Sequence, residues 1–143
     1  DLARFLVGQP IAHVFAEAAP PARAAQPAED ASIQLRFADG SLASIAYAAQ
    51  GDAKAGKERI EAFGGGATFV LDDFRTLAVT AHGRTETMGG GAPDKGVAAE
   101  LAAFVRAVRE GGPAPVDEAE LIETATAILA VMDSLQSGQR VVL

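Results

Sequence analysis

Cysteine and tryptophan are absent from the 143 residues, and tyrosine occurs once. Without cysteine the chain can form no disulfide, no Cys-based zinc site and no iron–sulfur cluster, and it has no thiol nucleophile. Histidine occurs only twice. Positive charge is the scarcer sign: 12 Lys and Arg stand against 19 Asp and Glu, a net charge of −7. Nucleic acid and anionic membrane surfaces both require clustered cations, so neither is an expected partner. No apolar run approaches the roughly 20 residues of a membrane span, and no basic-then-apolar leader opens the sequence. A cytoplasmic location is the expectation that follows.

What is present is the material of one ordinary domain. Alanine supplies 32 residues, and the larger core formers Val, Ile, Leu, Phe and Met supply 37. That is enough for a globular core and too much for a disordered chain.

The first residue is Asp1, and Leu2, Phe5 and Leu6 follow at helical spacing before Gly8 and Pro10 end the pattern. So short a helix is marginal alone. The expectation is a fragment of a longer chain, with residues 1–143 forming a single domain.

From Ile11 the period becomes two. Ile11, His13 and Phe15 alternate with Ala12, Val14 and Ala16. Residues 18–29, with three prolines, read as an irregular surface loop. Ile33, Leu35 and Phe37 alternate with Ser32, Gln34 and Arg36, and Asp39-Gly40 turns the chain into Ala43, Ile45 and Tyr47. A loop over 51–56 precedes further strands at 58–63, 67–71, 77–79 and 84–88. The last third is helical. Asp94 is placed to cap a helix carrying Val97, Leu101, Phe104, Val105 and Val108 on one stripe. Asp117 and Glu120 form a capping box for a second helix, whose stripe is Leu121, Ile122, Ala125, Ile128, Leu129, Met132 and Leu135. Val141–Leu143 can add an edge strand. Strands run together and helices run together. The fold class expected is α+β: an open, mostly antiparallel sheet of about six strands, with two C-terminal helices packed on one face.

The motifs that invite chemistry are mostly explained by structure. Gly64-Gly65-Gly66 is followed by the β-rich Ala67–Leu71, so it reads as a strand turn and not as a phosphate loop. Gly89-Gly90-Gly91 precedes a helix, but no Lys-Ser/Thr pair follows. His13 and His82 lack metal-ligand spacing and any sequence support for a triad. Asp72-Asp73 are adjacent on a strand end and point apart. The loop 52–58 holds Lys54 and Lys57, two of the three lysines. The third, Lys95, sits where the helix dipole disfavours a cation, a cost that a ligand or a carboxylate partner can offset. These three lysines are the candidate substrate contacts; no catalytic, cofactor or metal residue is assigned. Ser32, Gln34, Arg36, Ser44, Arg59 and Glu61, with Leu42 and Phe63, are expected on a sheet face that the helices leave open. That face either meets water or forms a subunit interface.

Several segments occur in a recognisable order: Asp1–Gly8 (DLARFLVG), Arg36–Ser41 (RFADGS), Lys57–Gly66 (KERIEAFGGG), Asp94-Lys95-Gly96, Glu100–Phe104 (ELAAF) and Ser134–Leu143 (SLQSGQRVVL). Together they resemble the C-terminal domain of the glucose-fructose oxidoreductase, inositol dehydrogenase and rhizopine-catabolism (Gfo/Idh/MocA) family, over essentially the whole chain. The resemblance implies a parent with an N-terminal Rossmann domain that binds NAD or NADP. It implies a cofactor-side lysine in a Glu-Lys-Pro motif and a catalytic histidine in a His-x-x-Asp-Leu sequence. Asp1-Leu2 looks like the end of the latter, which would set the histidine three residues before Asp1. On this view the parent is a dehydrogenase for a small-molecule sugar, polyol or related hydroxy compound. This fragment holds no cofactor and is inactive alone. It supplies substrate wall and a homo-oligomer contact through the open sheet face. The rival is a free-standing, non-catalytic α+β binding or dimerisation module.

Overall fold

Period-two hydrophobicity builds two antiparallel sheets of four strands each. The computed structural model describes residues 1–20, 30–52 and 54–143; most of the loop expected over 18–29 lies outside the described residues. One compact unit joins residues 1–51 to 116–143, and the other is 52–115.

The first unit opens with helix α1 (Leu2–Val7), which Gly8 ends in the left-handed conformation at φ 70°. Strands β1 (Ile11–Ala18), β2 (Asp30–Phe37) and β3 (Leu42–Ala48) follow. Helix α3 (Glu118–Ser137) leads to β8 (Val141–Val142), and the sheet order is β3-β2-β1-β8. The register pairs Val14 with Leu35 and Leu35 with Ala43. That stacks Val14, Leu35 and Phe37 towards α3, where Ala127 and Ala130 meet them. Val14 and Phe37 are wholly buried, and burying each such side chain contributes roughly 1.5–3 kcal/mol. The opposite side carries Ser32, Gln34 and Arg36, paired with Ala46, Ser44 and Leu42, all exposed.

The second unit is a meander: β4 (Arg59–Gly64), β5 (Ala67–Asp72), β6 (Thr76–Ala81) and β7 (Arg84–Gly89), in that order across the sheet. Helix α2 (Val97–Glu110) follows, with its cap at Gly96. Gly65 and Gly66, at φ 58° and 77°, form the tight β4–β5 turn that their position between strands requires.

The α+β class and the antiparallel pairing stand, with eight strands in two sheets of four where about six in one were expected. Past β3, the Asp30 carboxylate takes the Ala49 amide and the Gln50 side chain, and Asp52 takes the Lys54 amide. The chain bonds to itself there instead of extending a ladder. Two helix readings also change. The Asp94 side chain accepts from the Gly96 amide, so α2 begins at Val97. The Asp117 carboxylate accepts from Ala119, whereas Glu120 turns to Arg4 at 3.4 Å and not back to the cap.

The buried stripe of α3 is not the bulky one. Ala127, Ala130 and Ser134 face the sheet, while Ile128 and Leu129 are 60% and 66% exposed. Small residues allow close approach of helix to strand, and the helical period alone does not say which of two apolar stripes does so. The α2 stripe buries none of its residues.

Candidate functional site

The second unit gathers three short segments around the β5–β6 turn. Asp73 and Phe74 both adopt the left-handed conformation, at φ 47° and 52°. For a bulky residue such as Phe74 this costs about 1–2 kcal/mol, so neighbouring bonds must hold it. The Asp73 amide donates to the Glu58 carbonyl at 2.7 Å, and the Asp94 amide donates to the Phe74 carbonyl at 3.2 Å. The Asp73 carboxylate accepts from the Lys57 amide at 3.2 Å and pairs with Arg75 Nε at 3.2 Å. The bond from the Lys57 amide, helped by the Arg75 charge, holds the Asp73 carboxyl below its ordinary range. Asp73 is therefore a permanent acceptor at neutral pH and no general acid.

Lys95 closes the cluster. Its Nζ lies 2.5 Å from Glu58 Oε1 and 5.7 Å from the centre of the Phe74 ring. Glu58 is thus the carboxylate partner that the position of Lys95 called for. The other Glu58 oxygen, Oε2, is buried without a partner. One ammonium proton goes to Glu58, and the half-exposed remainder can donate to a hydroxyl or carbonyl oxygen.

Of the three lysines singled out from sequence, the structure brings Lys57 and Lys95 to this cluster, Lys57 through its backbone. Lys54 stays on the loop, its amide on Asp52. Sequence reasoning missed Glu58, Asp73 and Phe74 as members. A Lys-Glu step beside a strand and an Asp-Asp turn were visible. Nothing in the local pattern foretold a phenylalanine at positive φ.

The other motifs take structural roles. His82 precedes Gly83 in the β6–β7 turn at φ 51°, and His13 lies in β1 opposite Arg36 with its Nδ1 buried and unpartnered. Among the described residues no group of three or more His, Asp or Glu is arranged to hold a metal, and no helix is long and apolar enough to cross a membrane. The glycine runs do not take the arrangement of a Rossmann dinucleotide cradle among the described residues. The Gly64–Gly66 run joins two antiparallel strands, α2 starts well past Gly91, and every described strand pairing is antiparallel. A dinucleotide cradle needs a glycine turn leading from a strand straight into a helix of a parallel unit.

No family model matches the chain, and no curated protein does. Solved structures do. An oxidoreductase from Agrobacterium radiobacter, in complex with NAD+, L-tartaric acid and magnesium, superposes with a TM-score of 0.84 at 19% identity over 99% of this chain and 46% of its own. An aldose-aldose oxidoreductase from Caulobacter crescentus, complexed with glycerol, gives 0.81 at 18% over 99% and 44%. A UDP-N-acetylglucosamine 3-dehydrogenase from Acidithiobacillus ferrooxidans gives 0.80 at 20% over 95% and 44%. The chain thus has the fold of one part of these oxidoreductases and spans less than half the length of each.

Proposed function

We propose that this chain is the substrate-side domain of an NAD(P)-dependent oxidoreductase of the Gfo/Idh/MocA kind, acting on a sugar, polyol or related hydroxy compound. The observation that carries the reading is the fold likeness to oxidoreductases over nearly all of this chain and under half of theirs. On this reading the cofactor, NAD or NADP, belongs to a Rossmann domain outside these 143 residues, in keeping with the antiparallel pairing of every described strand. When bound there, it takes the hydride from the carbinol carbon. The role of this chain is to bind and orient the hydroxyl compound. Lys95, fixed by Glu58 over Phe74, and Lys57, on the same cluster, are the substrate contacts, with Lys54 the outer one. Glycerol and tartaric acid in the related structures are hydroxylated small molecules, which suits neutral or cationic hydrogen-bond donors of this type.

The second role is self-association through the exposed side of β2 and β3, which presents Gln34, Arg36, Leu42 and Ser44, and through the side of β4 that presents Arg59, Glu61 and Phe63. Arg59 already meets Glu61 of its own strand at 2.7 Å, so that pair does not depend on a second copy.

Two measurements test the reading. Titration calorimetry of NADH into the 143-residue chain is expected to show no saturable binding, and micromolar affinity would overturn the assignment of the cofactor elsewhere. The coding sequence upstream of Asp1 is expected to encode a Gly-rich nucleotide-binding domain ending in His-x-x. A start codon there would favour the free-standing module.

A further inference from the structure

Strand β7 is the outer strand of its sheet, and all six of its residues, Arg84–Gly89, are exposed. Its pairing with β6 starts at Ala81 and Arg84, across the two-residue turn His82-Gly83. In such a hairpin the pair closing the turn is hydrogen-bonded, so Arg84, Glu86 and Met88 direct their backbone groups to β6. The Gly90 amide on the Arg75 carbonyl continues the same parity. Thr85 and Thr87 therefore turn their N–H and C=O groups outward, where a further strand can pair.

The side chains say which strand. Arg84 and Glu86 lie two apart on one side of β7, the same spacing as Arg59 and Glu61 on β4. Arg59 and Glu61 close an ion pair within their strand. Among the described residues Arg84 and Glu86 make no ion pair. The outward-facing residues are the odd-numbered ones, so an antiparallel partner of identical sequence can pair only in registers that match odd with odd. The register centred on Thr85 sets Arg84 opposite Glu86 of the second copy, and Glu86 opposite its Arg84. These fall at the non-hydrogen-bonded positions, where Cβ atoms come closest, about 4.5–5.5 Å. The neighbouring registers, centred on Arg84 or on Glu86, put like charges face to face and are disfavoured.

We infer that β7 is a self-pairing edge: two copies of this chain join β7 to β7 antiparallel, centred on Thr85, and merge their sheets across a two-fold axis. An isologous contact of this kind is closed by its symmetry and does not propagate into a fibre. Charged residues on an edge usually serve to repel other strands. Here their order makes the edge complementary to itself and to one register only. The contact is distinct from the open sheet faces considered above and does not rest on the oxidoreductase reading.

The test is sedimentation equilibrium of the 143-residue chain over roughly 10–500 µM, because a single strand pair buries less than the ~1,600 Å² of a standard interface and binds weakly. The expected result is a reversible dimer of twice 14.6 kDa. Arg84→Glu weakens it about tenfold by setting two like-charge pairs opposite each other. Adding Glu86→Arg restores it, because the double variant recovers opposite charges across the axis. Thr85→Pro removes an outward N–H and keeps the backbone bonds to β6, losing only the 2.8 Å hydroxyl bond to Thr80, and abolishes the dimer; Thr85→Val, which loses that hydroxyl bond alone, keeps it. Arg36→Glu with Arg59→Glu, which disrupts the sheet-face contact proposed above, leaves the β7 dimer and its response to Arg84→Glu in place. A monomer throughout the range overturns the proposal. So does a dimer indifferent to both Arg84→Glu and Thr85→Pro, which would put the contact on another surface.

Discussion

Ser134 of α3 and Ala16 of β1 are joined by a buried hydrogen bond. The Ser134 Oγ accepts from the Ala16 amide at 2.9 Å and donates to the Gln139 carbonyl at 2.7 Å. The short β8 pairs with β1 only at His13 and Val14, so the helix side chain takes over the next outward amide. Ser134 is fully buried. Ser134→Ala leaves a buried amide and a carbonyl without this partner, and should destabilise the chain by about 1–3 kcal/mol in urea unfolding. A loss within error would mean that water replaces the hydroxyl.

The same helix gives a prediction by contrast. Ala130 is 5% exposed against the sheet, and Leu129 beside it is 66% exposed. Ala130→Leu should cost about 1–3 kcal/mol through overpacking, whereas Leu129→Ser in the same 143-residue chain should change stability by less than about 0.5 kcal/mol. Equal costs would contradict the placement of the helix.

These two residues mark where sequence reading succeeds and fails. The strands were legible because their period admits two faces only, and Leu35 and Phe37 named the buried one. Asp39-Gly40 and Gly65-Gly66 were legible because those turns need positive φ. On α3, one stripe is bulky and the other small, both recur at helical spacing, and burial went to the small one. Glu123 was silent in sequence, yet it accepts from the Ile11 amide at 2.6 Å and pairs with Arg4 at 3.0 Å, tying α1 and β1 to α3. Such bonds join residues over a hundred positions apart, and no local pattern announces them. The site was half legible for the same reason. Lys95 looked displaced by its place near a helix start, while its partner Glu58 is contributed from a different loop.

Gly89 has a requirement that Gly91 lacks. Its φ is +91°, and a Cβ there would lie 2.1 Å from the Arg75 carbonyl oxygen, whereas Gly91 has open space. Gly89→Ala should lower the melting temperature and loosen amide protection across β6 and β7, while Gly91→Ala should be near neutral. Equal behaviour of the two would show that the end of β7 can shift to make room.

Acid should weaken the β5–β6 turn in a defined direction. The Lys57 amide and then the Arg75 charge lower the Asp73 pKa from its ordinary 3.8. A carboxylate whose folded value is depressed stabilises above its unfolded value, and that contribution fades as pH falls through the lowered folded value. Asp73→Asn keeps a side chain that tolerates positive φ and removes the charge. The stability difference between wild type and Asp73→Asn should be constant near neutrality and shrink below the ordinary value of 3.8. A difference independent of pH would assign the effect to hydrogen bonding alone.

The last prediction separates the lysines in the full-length oxidoreductase proposed above. Lys57 spends its backbone amide on Asp73, and its ammonium meets no carboxylate among the described residues. Lys57→Ala therefore removes a donor without disturbing the turn, and should lower kcat/KM by about tenfold or more, the worth of a charged hydrogen bond. Cofactor affinity should be unchanged, since the proposed reading puts the cofactor on another domain. Lys95 is different because it also neutralises Glu58, whose Oε2 is already buried without a partner. Lys95→Ala leaves that carboxylate uncompensated and should reduce stability as well as kcat/KM. Lys95→Ala combined with Glu58→Gln should recover the stability and not the activity, because the charge imbalance is gone and the donor is still missing. Recovery of both would make the pair a structural clamp, and an unchanged kcat/KM in all three variants would return the lysines to the solvated surface.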